Sequence, residues 1–304
     1  MRLKNSKSLF LDNKFILLLI SVCVLLTACS DTPPAPLRVG TNVWTGYQPL
    51  YLARDLKYWR DDQIRLVEYP SASEVLRAFR NKALEAASLT LDEVLLLRQQ
   101  EVPITIVLVH DFSNGADTIV AHPEIQSVAQ LKGKTVAVEN GALGAFVITR
   151  ALELNDMSLQ DITVKNMDFK RHEKAFLSHD VDAVVTFDPV RARLIAAGGG
   201  QIFDSTMMPG EIIDVLVVHQ DYMAQHPDII NSLVAGWVKT LDYITSNQQD
   251  AYLKMSKRLH ISPQQVRARF KQNIYSAGKT NNELLSASDS ELLATIKKLN
   301  IVLI

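Results

Sequence analysis

From Leu37 onward, short apolar runs rich in β-branched residues alternate with longer amphipathic stretches that carry their own start signals. That alternation constrains the fold more than any other feature, because parallel strands need a crossover between them and the usual crossover is a helix. The predicted class is α/β, with mostly parallel sheets flanked by helices. Leu37–Thr41 reads as a first strand; Thr45-Gly46 turns the chain, and Pro49 suits the first turn of a helix through Leu52, Ala53 and Leu56. Ile64–Val67 is a second strand, and Ser71 with Glu74 forms a capping box before Val75, Leu76 and Phe79. A third strand ends near Ser88, Thr90 with Glu93 repeats the capping box, and Pro103 leads into Ile104–Val109.

After Asp117 the same grammar restarts, with strands at Thr135–Val138, Ile162–Val164 and Ala183–Thr186 and a helix from Gly141 to Leu154. Pro189 opens another helix and Gly198-Gly199-Gly200 closes it; beyond the strand Val215–Val218 the chain reads as almost wholly helical. So many layers exceed one core, and a chain of this length divides. The expected division is a first lobe over 37–117, a second over 118–214, and a return to the first over 215–304 with C-terminal helices. The crossings are expected at Thr118–Ala121 and Val215–Val218.

The N-terminal segment predicts location. Arg2, Lys4 and Lys7 precede an apolar run, Phe15–Ala28, shorter than the roughly 20 residues of a spanning helix. Leu26-Thr27-Ala28-Cys29 resembles the lipobox of bacterial lipoproteins, so residues 1–28 are expected to be a signal peptide and Cys29 the lipidated residue. An ordinary secretory peptide or an uncleaved anchor are the alternatives. Residues 30–36, with three prolines, read as a tether, and Ser30 after the cysteine favours the outer membrane. Cleavage would remove four of 32 basic and one of 33 acidic residues, leaving 28 against 32, or about −4. That balance argues against nucleic acid as a partner. With Cys29 as the last cysteine, the mature chain has neither an internal disulfide nor a thiolate metal cluster.

Leu37–Ala53 (LRVGTNVWTGYQPLYLA) resembles the opening of periplasmic solute-binding proteins of the nitrate, sulfonate, taurine and thiamine-pyrimidine group. Asp111–Asp117, Leu131–Glu139, and Val181-Asp182-Ala183 running into Phe187-Asp188-Pro189 extend the likeness, which covers Leu37 to about Ile244. The resemblance implies a two-lobed, type II periplasmic-binding-protein-like clamshell that closes on a small-molecule ligand. It also implies a monomer that docks to an ABC permease served by a separate ATPase subunit.

Ligands in such sheets sit beyond the carboxyl ends of the strands, which nominates Trp44, Tyr47, Ser88, Thr90, Asp111, Glu139, Asn140, Gly141, Phe187 and Asp188. Trp44 and Tyr47 offer stacking surfaces on a turn, or else pack it. Asp188 is either a ligand partner or a cap before Pro189. Glu139-Asn140-Gly141 presents free amides or is a plain turn, and Glu93 is accounted for by its capping role. His172 and His179 are expected at the surface, since no acidic or cysteine partner completes a metal site. No nucleophile elbow and no Walker loop occurs, so neither an enzyme nor a cofactor is expected. A pyrimidine-forming synthase of this fold carries a cysteine-rich motif that this chain lacks; a co-receptor for a membrane sensor remains as an alternative to transport. Glu139, Asp111 and Asp188 stand at strand ends where no Lys or Arg does, so the expected ligand is planar or amine-bearing rather than a bare sulfonate.

Overall fold

A computed structural model describes residues 35–139, 141, 143–286 and 291–302; the expected signal peptide, Cys29, Ser30 and Asn140 lie outside the described residues. Eleven strands are formed among the described residues: β1 (Leu37–Asn42), β2 (Ile64–Tyr69), β3 (Ala86–Thr90), β4 (Ile104–Ser113), β5 (Thr118–Ala121), β6 (Thr135–Val138), β7 (Thr163–Asn166), β8 (Ala183–Thr186), β9 (Gly200–Asp204), β10 (Ile213–His219) and β11 (Asn273–Tyr275). They make two sheets, ordered β11-β4-β10-β3-β1-β2 and β7-β6-β8-β5-β9. In the first, β1 pairs in parallel with β2 and β3, while β10 runs antiparallel between β3 and β4. In the second, β6 pairs in parallel with β7 and β8, and β5 runs antiparallel between β8 and β9. The class is therefore α/β with two sheets, each carrying an antiparallel returning strand.

The passages between sheets differ from those expected. Thr118–Ala121 is hydrogen-bonded on both edges within the second sheet, and Val215–Val218 on both edges within the first. A strand tied on both sides is a poor place to bend. The chain instead crosses in residues 114–117 and 205–212, and these two passages are joined where the Gly115 amide donates to Ser205 Oγ (2.6 Å) and the Ser113 and Ser205 hydroxyls meet at 2.8 Å. Gly115 has φ +99°, a left-handed turn that suits glycine. Two strands were not anticipated. β9 begins at the last glycine of the triplet read as a helix stop, and β11 is three residues long between helices.

Local rules account for most helices. Ser71 Oγ accepts from the Glu74 amide at 3.3 Å to start Ala72–Arg80, whose Val75 and Phe79 turn inward. Glu93 accepts from the Thr90 amide at 3.0 Å at the head of Leu91–Gln99. Ser262 and Gln265 form a capping box ahead of Pro263–Phe270. Leu143–Glu153 starts two residues later than expected. The long helix Pro227–Ser246 lies behind the first sheet with Trp237 fully buried, and its Gly236 admits the Trp59 ring, which a Cβ would meet at 2.5 Å. One apolar cluster joins Val75, Phe79 and Leu91 of the first half to Ile119, Phe146 and Phe203 of the second. The two sheets therefore share apolar packing at their junction.

Candidate functional site

Two small hollows lie between the sheets, each about 30 Å³, room for about two water-sized groups. They share Ala72, Asp117, Leu143 and Phe187. One is completed by Asn42, Trp44, Tyr47, Thr90, Glu93 and Asp214, the other by Glu139, Gly144, Val147, Phe169, His172, Val185 and Thr186. Strand ends and neighbouring turns supply more than half of these side chains, as in open α/β sheets, and helices supply Ala72, Glu93, Leu143, Gly144, Val147, Phe169 and His172.

An aromatic group forms one wall. Phe187 stacks on Phe169 with centroids 4.2 Å apart and meets Trp44 edge to face at 5.2 Å. Trp44 keeps its buried indole nitrogen without a protein partner. Gly46 makes this possible: a Cβ there would fall 2.2 Å from Trp44 Nε1 and 2.4 Å from Asp111 Oδ2. Only glycine lets the turn sit so close.

Acids line much of the rest. Tyr47 donates to Asp214 Oδ1 (2.5 Å), and Asp214 stands opposite Asp111 in the β4–β10 pairing. Both carboxyls are held well above the usual carboxylate range, first by burial and then by each other's charge or that of Asp117. Burial likewise lifts Glu93 well above its ordinary value, reinforced by Asp92, Glu139 and Asp214 and opposed by the Thr90 amide. Asp117 is pushed up to about 7 and Asp92 to about 6, each mainly by burial. Glu93 Oε1 and Asp117 Oδ2 have no hydrogen-bond partner, although both residues are at least 97% buried. Their unmet capacity is costly unless something fills the space.

The nominated residues divide into three groups. Trp44, Tyr47, Thr90, Glu139 and Phe187 line the hollows. Ser88 and Asp111 are buried beneath them: Ser88 shares its strand face with Thr90 but lies one pair deeper in the sheet, bonded to His110 Nε2 at 3.0 Å, and Asp111 lies opposite Asp214. Asp188 lines neither hollow. It is ion-paired with Arg191 (3.0 Å) and Arg269 (3.2 Å) and accepts from the Ala192 amide, combining a capping role with a link across the halves. Glu139 also makes a cross-link, accepting from the Ser73 amide (3.1 Å) and hydroxyl (2.5 Å). Gly141 has φ +74° and sits in the turn before Leu143–Glu153, outside both linings.

Four residues were missed. Glu93 was explained away by its cap, yet one oxygen serves the Thr90 amide and the other faces no partner. Asp117 lies in a passage between sheets, and Asp214 gains its meaning from a strand partner far away in sequence. His172 corrects the expectation of a surface histidine: it is 1% exposed, lines a hollow, and donates from Nε2 to the Met167 carbonyl at 3.1 Å. Burial lowers it to about 4 and keeps the ring neutral, leaving Nδ1 as a bare acceptor. Helix packing brought it inward, and its neighbours Phe169 and Phe176 were the available signal.

Comparison with known proteins bears on the family and the fold. The NMT1-like family model matches residues 30–259. A Brucella abortus (strain 2308) chain named as a binding protein is 24% identical over 152 residues, 47% of this chain and 48% of its own length. This chain thus spans about half the length of the first curated relatives it matches. The taurine-binding periplasmic protein of Escherichia coli (strain K12) is 19% identical over 63% of this chain and 60% of its own. Among solved structures, the periplasmic aliphatic sulphonate binding protein SsuA from Escherichia coli superposes with TM-score 0.70 at 18% identity, covering 89% of this chain and 92% of that one.

Proposed function

The chain belongs to the NMT1-like family, and from that premise we propose that it is a lipid-anchored periplasmic solute-binding protein that delivers a small organic molecule to an ABC importer. The observation that carries the reading is the pair of hollows between the sheets, lined by buried polar atoms with no protein partner. A site that leaves acceptors unmet is built for something that meets them. The two passages at 114–117 and 205–212 act as the hinge, and the Asp188–Arg269 and Glu139–Ser73 contacts hold the halves together once shut. Relatives named for taurine and aliphatic sulfonates support transport of a small solute; the solute itself is a separate question. The basic start, apolar run and Cys29 support the anchor. Ser30 favours a second reading, in which the closed form is presented to a membrane sensor instead of a permease.

The test uses the full-length lipidated protein in detergent, screened by thermal melts against sulfonates, pyrimidines and amines. A bound solute at a hundred times its Kd should stabilise by about 2.7 kcal/mol, and small-angle scattering should show compaction or an already compact form. A protein indifferent to every class would end the reading. For the anchor, the Cys29→Ser chain should be uncut or leave the membrane fraction; a processed chain still sedimenting with membranes would overturn it.

A further inference from the structure

The unmet polar atoms of the hollows are mostly oxygens. Glu93 Oε1, Asp117 Oδ2, Asp214 Oδ2 and His172 Nδ1 are buried without partners and accept once the carboxyls ionise, the Thr90 and Thr186 hydroxyls can accept or donate, and Trp44 Nε1 is the unpartnered nitrogen donor beside them. Among the described residues lining either hollow there is no Lys or Arg. The guanidinium groups around the site are already committed: Arg191 and Arg269 to Asp188, and Arg258, which lines a separate hollow of about 150 Å³ that Trp44 also lines, to Glu68 and Gln48. An anion entering this space would meet carboxyls and a neutral imidazole with no counter-charge. A cation would meet these oxygens beside the aromatic group of Trp44, Phe187 and Phe169, and aromatic rings attract cations.

Building on the solute-binding reading, we propose that the cleft takes a small organic cation, a protonated amine without an anionic group, with Glu93 and Asp117 as its counter-charges. An ammonium group carries donors and no acceptor, the complement of this lining. Asp117 lines both hollows, so it stands where the acceptors of one meet those of the other. The size of the hollows sets the ligand at a few heavy atoms in the closed form.

The empty cleft has a further consequence. Glu93 faces Asp92 on its own helix, Glu139 at the end of β6 and Asp214 on β10; Asp117 faces Asp92, Asp111, Asp214 and Arg191, with Ser113 beside it. With so many acids and one cation nearby, the empty site retains protons near neutrality. An arriving ammonium ionises the carboxyls it touches and their protons leave to solvent. Affinity therefore rises with pH through about 7, the value to which Asp117 is pushed, until the amine itself deprotonates near 10.

Calorimetry on the full-length lipidated protein in detergent tests this with n-propylammonium, 1,3-propanediammonium, tetramethylammonium, propane-1-sulfonate and 1-propanol. The expected result is that an ammonium probe binds and the sulfonate and alcohol do not. Measured heats should vary between buffers of different ionisation enthalpy, reporting proton release. Glu93→Gln and Asp117→Asn should each weaken the ammonium at least tenfold while melting no earlier than wild type, since each replaces a neutral carboxyl by a neutral amide. Tighter binding of propane-1-sulfonate or 1-propanol, binding of an ammonium without proton release, or silence from all three ammonium probes overturns the inference. The first outcome leaves the solute-binding reading intact. Only a protein that also ignores the broader solute screen loses both. If a variant fails to fold, the probe series and proton count on the wild type still decide.

Discussion

The two faces of the cleft are chemically unlike. The first sheet and its turns contribute Glu93, Asp214, Tyr47 and Trp44, whereas the second contributes mostly apolar side chains, Leu143, Val147, Val185, Phe169 and Phe187, with Glu139, Thr186 and His172 as its polar members. The difference assigns tasks. Electrostatic recognition depends steeply on position, and the acids flank β10, a strand hydrogen-bonded on both edges. Apolar contact scales with area and tolerates small changes of orientation, so the second half can swing in as a closing wall without losing its contribution. Under the proposed closure, selectivity would rest on the half that carries most of the acids, and the apolar half would close over it.

The largest effect separates scaffold from cleft. Trp237 is fully buried behind the first sheet, with its indole nitrogen directed to the Ser276 carbonyl at 3.4 Å. Trp237→Ala should cost about 3–5 kcal/mol of stability in urea melts. Trp44 reaches Phe187 across the cleft, so Trp44→Ala should cost less stability but weaken solute binding by about 1–3 kcal/mol. Equal losses of stability would mean that the faces form one permanent core, and the contrast between fixed and moving halves would fall. Trp59, wedged on Gly236, should follow Trp237.

Next comes the link that holds the faces together. Arg269, from the helix Pro263–Phe270, and Asp188, after β8, are both at least nine-tenths buried. Removing one partner of a buried pair is expensive, but Asp188 retains Arg191. Arg269→Met should therefore cost about 1–3 kcal/mol and raise the radius of gyration of the empty protein in solution scattering. An unchanged radius would show that the contact contributes packing rather than closure.

Sequence made the layers legible because strand and helix starts are local. Ser71, Thr90 and Ser262 signal their helices within four residues, and β-branched runs mark the buried strands. Trp44, Tyr47 and Phe187 were within reach for the same reason, since each follows a strand. The acids were harder. Asp214 acquires its role from lying opposite Asp111, a register fixed by packing between segments about a hundred residues apart. Asp188 looked available until folding delivered Arg269 to it from another part of the chain. Glu93 shows the opposite error: a complete local explanation concealed that a carboxylate has two oxygens.

The smallest effect tests whether the acidic face is truly stored in protonated form. In the folded chain Asp117 titrates at about 7, against about 3.9 when unfolded. Between those values the folded state binds the extra proton, so stability is present at low pH and declines as pH rises through 7. From pH 6.5 to 8 this group alone should remove about 1 kcal/mol, and Glu93, Asp111 and Asp214, raised for the same reason, steepen the fall. His110, lowered to about 3, and His172, lowered to about 4, act the other way, and because the unfolded imidazoles are still half protonated at pH 6.5 the pair restores about 0.8 kcal/mol between 6.5 and 8. The acid is therefore isolated by the difference between wild type and a variant that lacks it. Asp117→Asn should reduce the decline between pH 6.5 and 8 by about 1 kcal/mol in urea melts, whereas Asp62→Asn, at an exposed position remote from the cleft, should leave the slope as it is. An Asp117→Asn variant with the same slope as wild type would mean that Asp117 is already ionised in the empty cleft, and the acidic face would need a counter-charge not yet identified.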